Sequence, residues 1–360
     1  MSQRTRLLAA AIAMLTVAAP AANAQARKVD VTVMTRNIYL GGDIVRPIGE
    51  QDPVAFRRKV GEVWAEVQKT DFPGTRAALL AREVKRTAPD LIGLQEVALW
   101  RRGPDGVTDG ATTPATTVVY DFLRSYRRQL KRLGLHYIVA VVQQEGDVEA
   151  PTDKGYDVRL TIRDVILVKK RPDLRITKRS KANYDANIAV PSPAGTLTST
   201  RGWTAVDVKL RGRKLRFVNT HLESAAPGPR NAQAAELVAR GGPVHVKGKP
   251  VLLVGDMNSD PNGKEADAGA VKTIKRAGLF DLWPRIMSGN AGFSYGLNNS
   301  DLSDTTGAGF DHRIDLIFSK PALKGSDGKV VGKRPSDRAA NGLWPSDHAG
   351  VVLTLRLPPR

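Results

Sequence analysis

Apolar and polar residues alternate over Lys28–Asn37, where Val29, Val31 and Val33 share one face. A period of two predicts a strand. Residues 53–70 and 74–88 change to helical spacing, with Pro73-Gly74 splitting them into two helices. Pro89-Asp90 stops the second helix, and Leu91-Ile92-Gly93-Leu94-Gln95 predicts a short buried strand. Residues 101–117 are rich in Gly, Thr and Pro and predict a surface loop. Val118–Leu133 predicts an amphipathic helix with a basic outer face.

Strands dominate the rest: Tyr137–Gln143, Asp164–Lys169, Trp203–Leu210 and Lys214–His221, the last two joined as a hairpin through Arg211-Gly212-Arg213. A helix over Asn231–Arg240 precedes the fully apolar strand Val251–Val254. A further helix covers 266–278, and strands at Arg313–Ser319 and Ala349–Leu355 close the chain. Helices alternate with strands, yet some strands pair as hairpins. This mixture predicts an α/β fold of two stacked sheets with helices outside, rather than one parallel sheet. No repeat or linker interrupts residues 25–360, which read as one domain.

The N-terminus differs from the rest. Arg4 and Arg6 precede an uncharged apolar run, Leu7–Ala19, and Ala22-Asn23-Ala24 supplies a small-x-small cleavage pattern. Residues 1–24 read as a signal peptide, which implies a secreted or periplasmic protein. The run is shorter than the ~20 residues a spanning helix needs, so no stable membrane insertion is expected after its removal. With no cysteine, neither disulfides nor thiolate metal sites are available. Any metal must sit on carboxylates, amides or histidines, which favours Mg²⁺, Mn²⁺ or Ca²⁺. A formal charge of +19 suits polyanions such as nucleic acid, or an anionic membrane surface.

Polar side chains with chemical potential fall at or just past the ends of apolar strands: Asn37, Glu96, His221, Asp256 with Asn258, and Asp347-His348. Asp315 interrupts the apolar run Arg313–Phe318, and a carboxylate buried there requires a partner. Taken singly, each has a structural explanation: a turn at Asp256–Asn258, a strand-closing acid at Glu96, a core histidine at His221. Strand ends of a sandwich meet at one edge, however, so the groups could converge.

Their order carries more. Thr35-Arg36-Asn37, Leu94-Gln95-Glu96-Val97, Asn219-Thr220-His221-Leu222, Gly255-Asp256-Met257-Asn258, Arg313-Ile314-Asp315-Leu316-Ile317 and Ser346-Asp347-His348 occur in sequence. The set resembles the endonuclease/exonuclease/phosphatase superfamily of DNase-like metal-dependent phosphodiesterases. The resemblance implies a four-layer α/β sandwich, two mixed or antiparallel sheets face to face with helices on both outer sides. It implies that Glu96 holds a divalent metal, Mg²⁺ foremost, with Asn37 beside it and Asp347 assisting. Asp256 would align or deprotonate the attacking water, and Asn258 would bind phosphate or orient Asp256. His348 would be general base or acid, oriented by Asp315, and His221 would contact a phosphate oxygen. Arg163-Asp164-Val165-Ile166-Leu167 resembles the DNase segment whose carboxylate pairs with the first catalytic histidine. Asp164 is therefore a candidate partner of His221, the alternative being a salt bridge to Arg163 or Arg159.

The chemistry is coherent. A phosphodiester repels hydroxide; a cation offsets that charge, and histidine can take and give protons near neutrality. The expected function is hydrolysis of nucleic acid by a monomeric enzyme. The alternatives are a sphingomyelinase- or phosphoinositide-type hydrolase, with Trp283-Pro284 and Phe293-Ser294-Tyr295 as membrane-contact candidates, and an inactive nucleic-acid-binding module. Tyr156 and Tyr184 match no phosphate-binding context, His312 beside Asp311 reads as a loop histidine with a minor role, and His136 and His245 have no constellation around them.

Overall fold

The computed structural model describes residues 28–106, 115–263, 267–297, 300–304 and 309–359. The expected signal peptide lies outside them, as do residues 107–114 of the expected loop.

The first sheet is built from β1 (Val29–Asn37), β2 (Leu91–Gln95), β3 (Leu99–Pro104), β4 (Thr117–Asp121), β5 (Tyr137–Pro151) and β6 (Tyr156–Lys169). β7 (Leu174–Asn183) opens the second sheet, while β8 (Ile188–Ser192) and β9 (Gly195–Ser199) form a separate hairpin. β10 (Gly202–Leu210), β11 (Arg213–His221), β12 (Val251–Asp256), β13 (Phe280–Asp281) and β14 (Asp315–Lys320) complete the second sheet. β15 (Lys324–Val331) and β16 (Gly350–Leu357) return to the first. The spatial orders are β15-β16-β1-β2-β6-β3-β4, with β5 also on β6, and β13-β14-β12-β11-β10-β7. Both sheets are mixed: β1 runs parallel to β2 and β11 to β12, among antiparallel neighbours.

Three apolar layers follow from strands that are apolar on both faces. Between the sheets, Val31, Val33, Ile166 and Leu353 meet Val206, Phe217, Leu252 and Ile317. Outside the first sheet, α1 (Pro53–Lys69), α2 (Ala77–Thr87) and α3 (Phe122–Arg132) press Phe56, Trp64, Leu80 and Tyr126 onto Met34, Ile92 and Leu167. Outside the second, α4 (Pro227–Val238) and α5 (Gly269–Arg276) bring Leu237, Val271 and Ile274 onto Val218, Leu253 and Phe318. Each such fully buried side chain contributes about 1.5–3 kcal/mol. The architecture is the four-layer α/β sandwich expected.

Near the site, a polar ladder crosses the inter-sheet core. Gln95 Nε2 donates to Asn219 Oδ1 at 2.5 Å, and Asn219 Nδ2 donates to the Leu94 carbonyl at 3.2 Å. A Cβ on Gly93 would sit 2.4 Å from Asn219 Oδ1, which is why β2 carries a glycine there. These buried, satisfied groups favour a single register between the sheets.

Several elements differ from expectation. The expected loop 101–117 begins and ends in β3 and β4, and the helix expected from Val118 starts at Phe122. The β-branched run Thr117-Val118-Val119 takes the extended form, and Asp121 caps the helix, accepting from Arg124 N at 3.3 Å. The strands expected at Tyr137–Gln143 and Asp164–Lys169 are halves of the much longer β5 and β6. No strand is expected over 185–200, yet the β8–β9 hairpin lies there. β7 and β15 were not anticipated; both are edge strands whose lysines, arginines or glycines hide the apolar alternation.

Candidate active site

Strand register brings the central groups together. His221 pairs with Asp256 across β11–β12, and Asp256 pairs with Asp315 across β12–β14. Three adjacent strands thus place His221, Asp256 and Asp315 side by side at one rim. From the first sheet, Asn37 ends β1, Glu96 follows β2, and His348 lies just before β16. Asn37 Nδ2 joins the sheets, donating to Glu96 Oε1 and to Asp256 Oδ2, each at 3.0 Å.

The loops that carry these groups are firmly held. Buried Arg36 makes a two-pronged ion pair with Glu83, both contacts 2.9 Å, and donates to the Asn37 and His348 carbonyls. Removing one partner of such a buried pair costs about 3–5 kcal/mol. Arg76, also buried, donates to the carbonyls of Ile38, Tyr39 and Pro345. Tyr39, Glu96 and Asn258 adopt left-handed backbone, with φ of 60°, 60° and 45°. For Glu96 this costs about 1–3 kcal/mol, and it folds the carboxylate back so that Oε2 accepts from Leu40 N at 2.9 Å.

Asp256 is flanked by two imidazoles. His348 Nε2 lies 3.6 Å from its Oδ2 and His221 Nε2 lies 3.4 Å from the same atom. Asn258 N donates to Asp256 Oδ1 at 2.9 Å, while the Asn258 side chain donates to the Leu222 carbonyl. Asn258 therefore orients Asp256 through its backbone. Behind His348, Asp315 Oδ2 faces Nδ1 at 2.8 Å, and Ser294 Oγ accepts from Asp315 N. Tyr295, 37% exposed, tilts over the His348 ring at 4.7 Å between centroids.

The electrostatics separate the groups. Burial raises Asp256, His348 opposes and Asp315 reinforces, leaving it at about 7. Burial alone would lower His348, but Asp315, Asp256 and Asp347 outweigh it and push it up to about 10. His221 is driven the other way, by burial and then by the charges of Arg201 and His348.

The pair expected between Asp164 and His221 does not form. His221 Nδ1 faces Arg201 Nη1 at 3.0 Å. Asp164 is fully buried with neither oxygen hydrogen-bonded among the described residues, raised by burial and then by neighbouring Glu145. It bonds neither Arg163 nor Arg159, which pair with Asp121 and Asp147. Arg201 was not anticipated, because a lone arginine in Ser199-Thr200-Arg201-Gly202 carries no sequence signal. Tyr184 and Tyr156 lie in structural roles, the first bonded to Thr220 Oγ1 at 2.8 Å and the second under the Arg102 guanidinium. His312 is exposed and hydrogen-bonds Asp311.

Glu96 and Asp347 fit a divalent cation. Asp347 is raised to about 6 by burial, with the Glu96 charge also opposing its ionisation. A hard dication would relieve that opposition. Asp256, Asp315 and His348 also offer ligand atoms within 4.8 Å of one another. Of these, the facing Asp315 and His348 atoms are already bonded to each other.

A two-sheet sandwich with this carboxylate and imidazole cluster at its shared rim defines a phosphoester hydrolase. The sequence profile of the endonuclease/exonuclease/phosphatase family matches residues 63–348, and the chain belongs to that family, which depends on divalent metals. No curated protein matches the sequence. Among solved structures, truncated TDP2 from Caenorhabditis elegans is 19% identical with a TM-score of 0.52, covering 91% of this chain and 97% of that one. Danio rerio TDP2 complexed with a single-strand DNA product is 16% identical with a TM-score of 0.52, covering 91% and 98%. A Bacteroides thetaiotaomicron mannosyl-6-phosphatase is 18% identical with a TM-score of 0.50, covering 90% and 99%.

Proposed function

We propose that this chain is an exported phosphodiesterase that hydrolyses nucleic acid by in-line attack of water. The observation that carries the hydrolytic half is the placing of Asp256 beside His348, whose Nε2 lies 3.6 Å from Asp256 Oδ2 while Asp315 holds its Nδ1 at 2.8 Å. Asp256 and His348 are neighbours whose surroundings push them to about 7 and about 10, an arrangement suited to base and acid. Asp256 accepts a proton from the attacking water, with Asn37 and Asn258 fixing its two oxygens. His348 gives its Nε2 proton to the leaving oxygen while Asp315 holds Nδ1. His221 donates to a non-bridging phosphate oxygen. Glu96 and Asp347, with Asn37 beside them, would hold Mg²⁺, Mn²⁺ or Ca²⁺. When bound, the ion offsets phosphate charge and stabilises the developing oxyanion.

Nucleic acid as substrate is supported by the formal charge of +19 and by the DNA-bound neighbour. Exposed Tyr295 beside His348 offers a face on which a base can stack. A lipid substrate is less well supported. Trp283 is only 3% exposed and Phe293 packs into a small apolar cluster, leaving Pro284 and Tyr295 as the exposed members of the expected membrane-contact set. No helix among the described residues is long and apolar enough to cross a membrane.

The test is a hydrolysis panel offering plasmid DNA, RNA, sphingomyelin and inositol phosphates, with and without EDTA, to wild type and His348→Ala. DNA or RNA cleavage that vanishes with EDTA and in the variant is expected. Cleavage of lipid but not nucleic acid would overturn the substrate assignment.

A further inference from the structure

We infer that Arg201 is a positioning residue that locks His221 as a neutral Nε2–H hydrogen-bond donor. The inference rests on the reaction proposed above for its catalytic consequence, and on hydrogen-bond geometry alone for the lock itself.

A guanidinium has five N–H groups and no acceptor. Arg201 Nη1, 3.0 Å from His221 Nδ1, can therefore only donate, and Nδ1 must present its lone pair. The proton of a neutral imidazole then resides on Nε2, which faces Asp256 Oδ2 at 3.4 Å. Protonating His221 would set an N–H of the ring against an N–H of Arg201, so this ring cannot shuttle a proton without breaking the contact.

The arginine is placed to hold that role. It precedes β10, where Gly202 pairs with His221 across the ladder. A Cβ on Gly202 would lie 2.3 Å from the Ala182 carbonyl, so β7 approaches closely. The Arg201 carbonyl accepts from Tyr184 N at 2.8 Å, and Arg201 Nε lies 3.5 Å from Glu223 Oε2. Glu223 is itself fixed by Ser199 Oγ at 2.8 Å and by the Ser224 and Ala225 amides. The 185–200 segment, which supplies Ser199, thus reaches the site through Glu223 and Arg201.

The experiment is ¹⁵N-histidine NMR on wild type, Arg201→Met and Arg201→Lys, with turnover on a phosphodiester substrate measured in parallel. The chain has 5 histidines, so the His221 signals are assigned by their loss in His221→Gln. Wild type should show His221 protonated on Nε2 and bare on Nδ1. Arg201→Met should lose that fixed tautomer and about tenfold or more in kcat, with a smaller change in KM. Arg201→Lys should restore the tautomer and much of kcat. A wild-type Nδ1–H, or an unchanged tautomer in Arg201→Met, would overturn the inference. Should Arg201→Met not fold, the wild-type and Arg201→Lys spectra decide it. The fixed tautomer in a protein that hydrolyses no phosphoester would sink the proposed reaction and leave the lock standing.

Discussion

On one side of Asp256 stands His348, backed by a carboxylate at 2.8 Å; on the other stands His221, backed by a guanidinium at 3.0 Å. Both rings present Nε2 to the same Asp256 oxygen at nearly equal distance. Distance to the centre therefore does not distinguish them. What lies behind each ring does: an acceptor draws a proton onto Nδ1 and favours the cation, whereas a donor forbids both. On the proposed reaction, two copies of one side chain become an acid and a fixed donor through their supports.

The comparison breaks most visibly at Asp315. In Asp315→Asn the amide can still hold the ring but no longer stabilises the imidazolium. We expect kcat to fall by about 10³–10⁴ with little change in melting temperature. Full turnover would remove the orienting role. On the other side, His221→Ala deletes one hydrogen-bond donor and should cost about 10²-fold in kcat under the same assay. A loss equal to that in Asp315→Asn would mean that the two histidines are not specialised.

The smallest effect concerns the acids near Arg201. Burial raises Glu145 from 4.5 to about 8, with the Arg201 charge opposing. Below pH 4.5 it is protonated folded or unfolded. Between 4.5 and about 8 the unfolded chain releases a proton that the folded chain keeps, so stability falls as pH rises. Above about 8 the penalty is constant. Glu145→Gln should thus raise the melting temperature by a few degrees in alkaline buffer, with no gain in acid. Thermal melts across pH check this; a pH-independent difference would contradict it.

Much of the rim could be read from sequence because its chemistry sits where apolar strands stop. Asn37, Glu96 and Asp256 were visible as polar residues closing hydrophobic runs, His348 as one just before the last run, and Asp315 as a carboxylate inside one. The sandwich followed from strands apolar on both faces. What stayed hidden depends on distant partners. Arg201 belongs to a bland polar loop until β10 places it against His221, and Asp164 looks like a histidine partner until that arginine takes its place. Arg36 and Arg76 read as ordinary charges, although both are fully buried and tie backbone carbonyls together beneath the site. Edge strands β7 and β15 were lost because solvent-facing charges and glycines dilute the period of two.

His221, Asp256 and Asp315 occupy matching rungs on three neighbouring strands. Consecutive residues on a strand point to opposite faces, so this row imposes a parity on each strand. One residue added to β12 below Asp256 would turn its carboxyl away while the hydrophobic pattern around it also inverted. Drift in strand length is therefore closed to this scaffold, and new substrate preferences must be written in the connections beyond the last rung. Grafting alternative versions of the 185–200 hairpin is accordingly the engineering route that leaves this row of side chains undisturbed, provided that Ser199 and Arg201 travel with it.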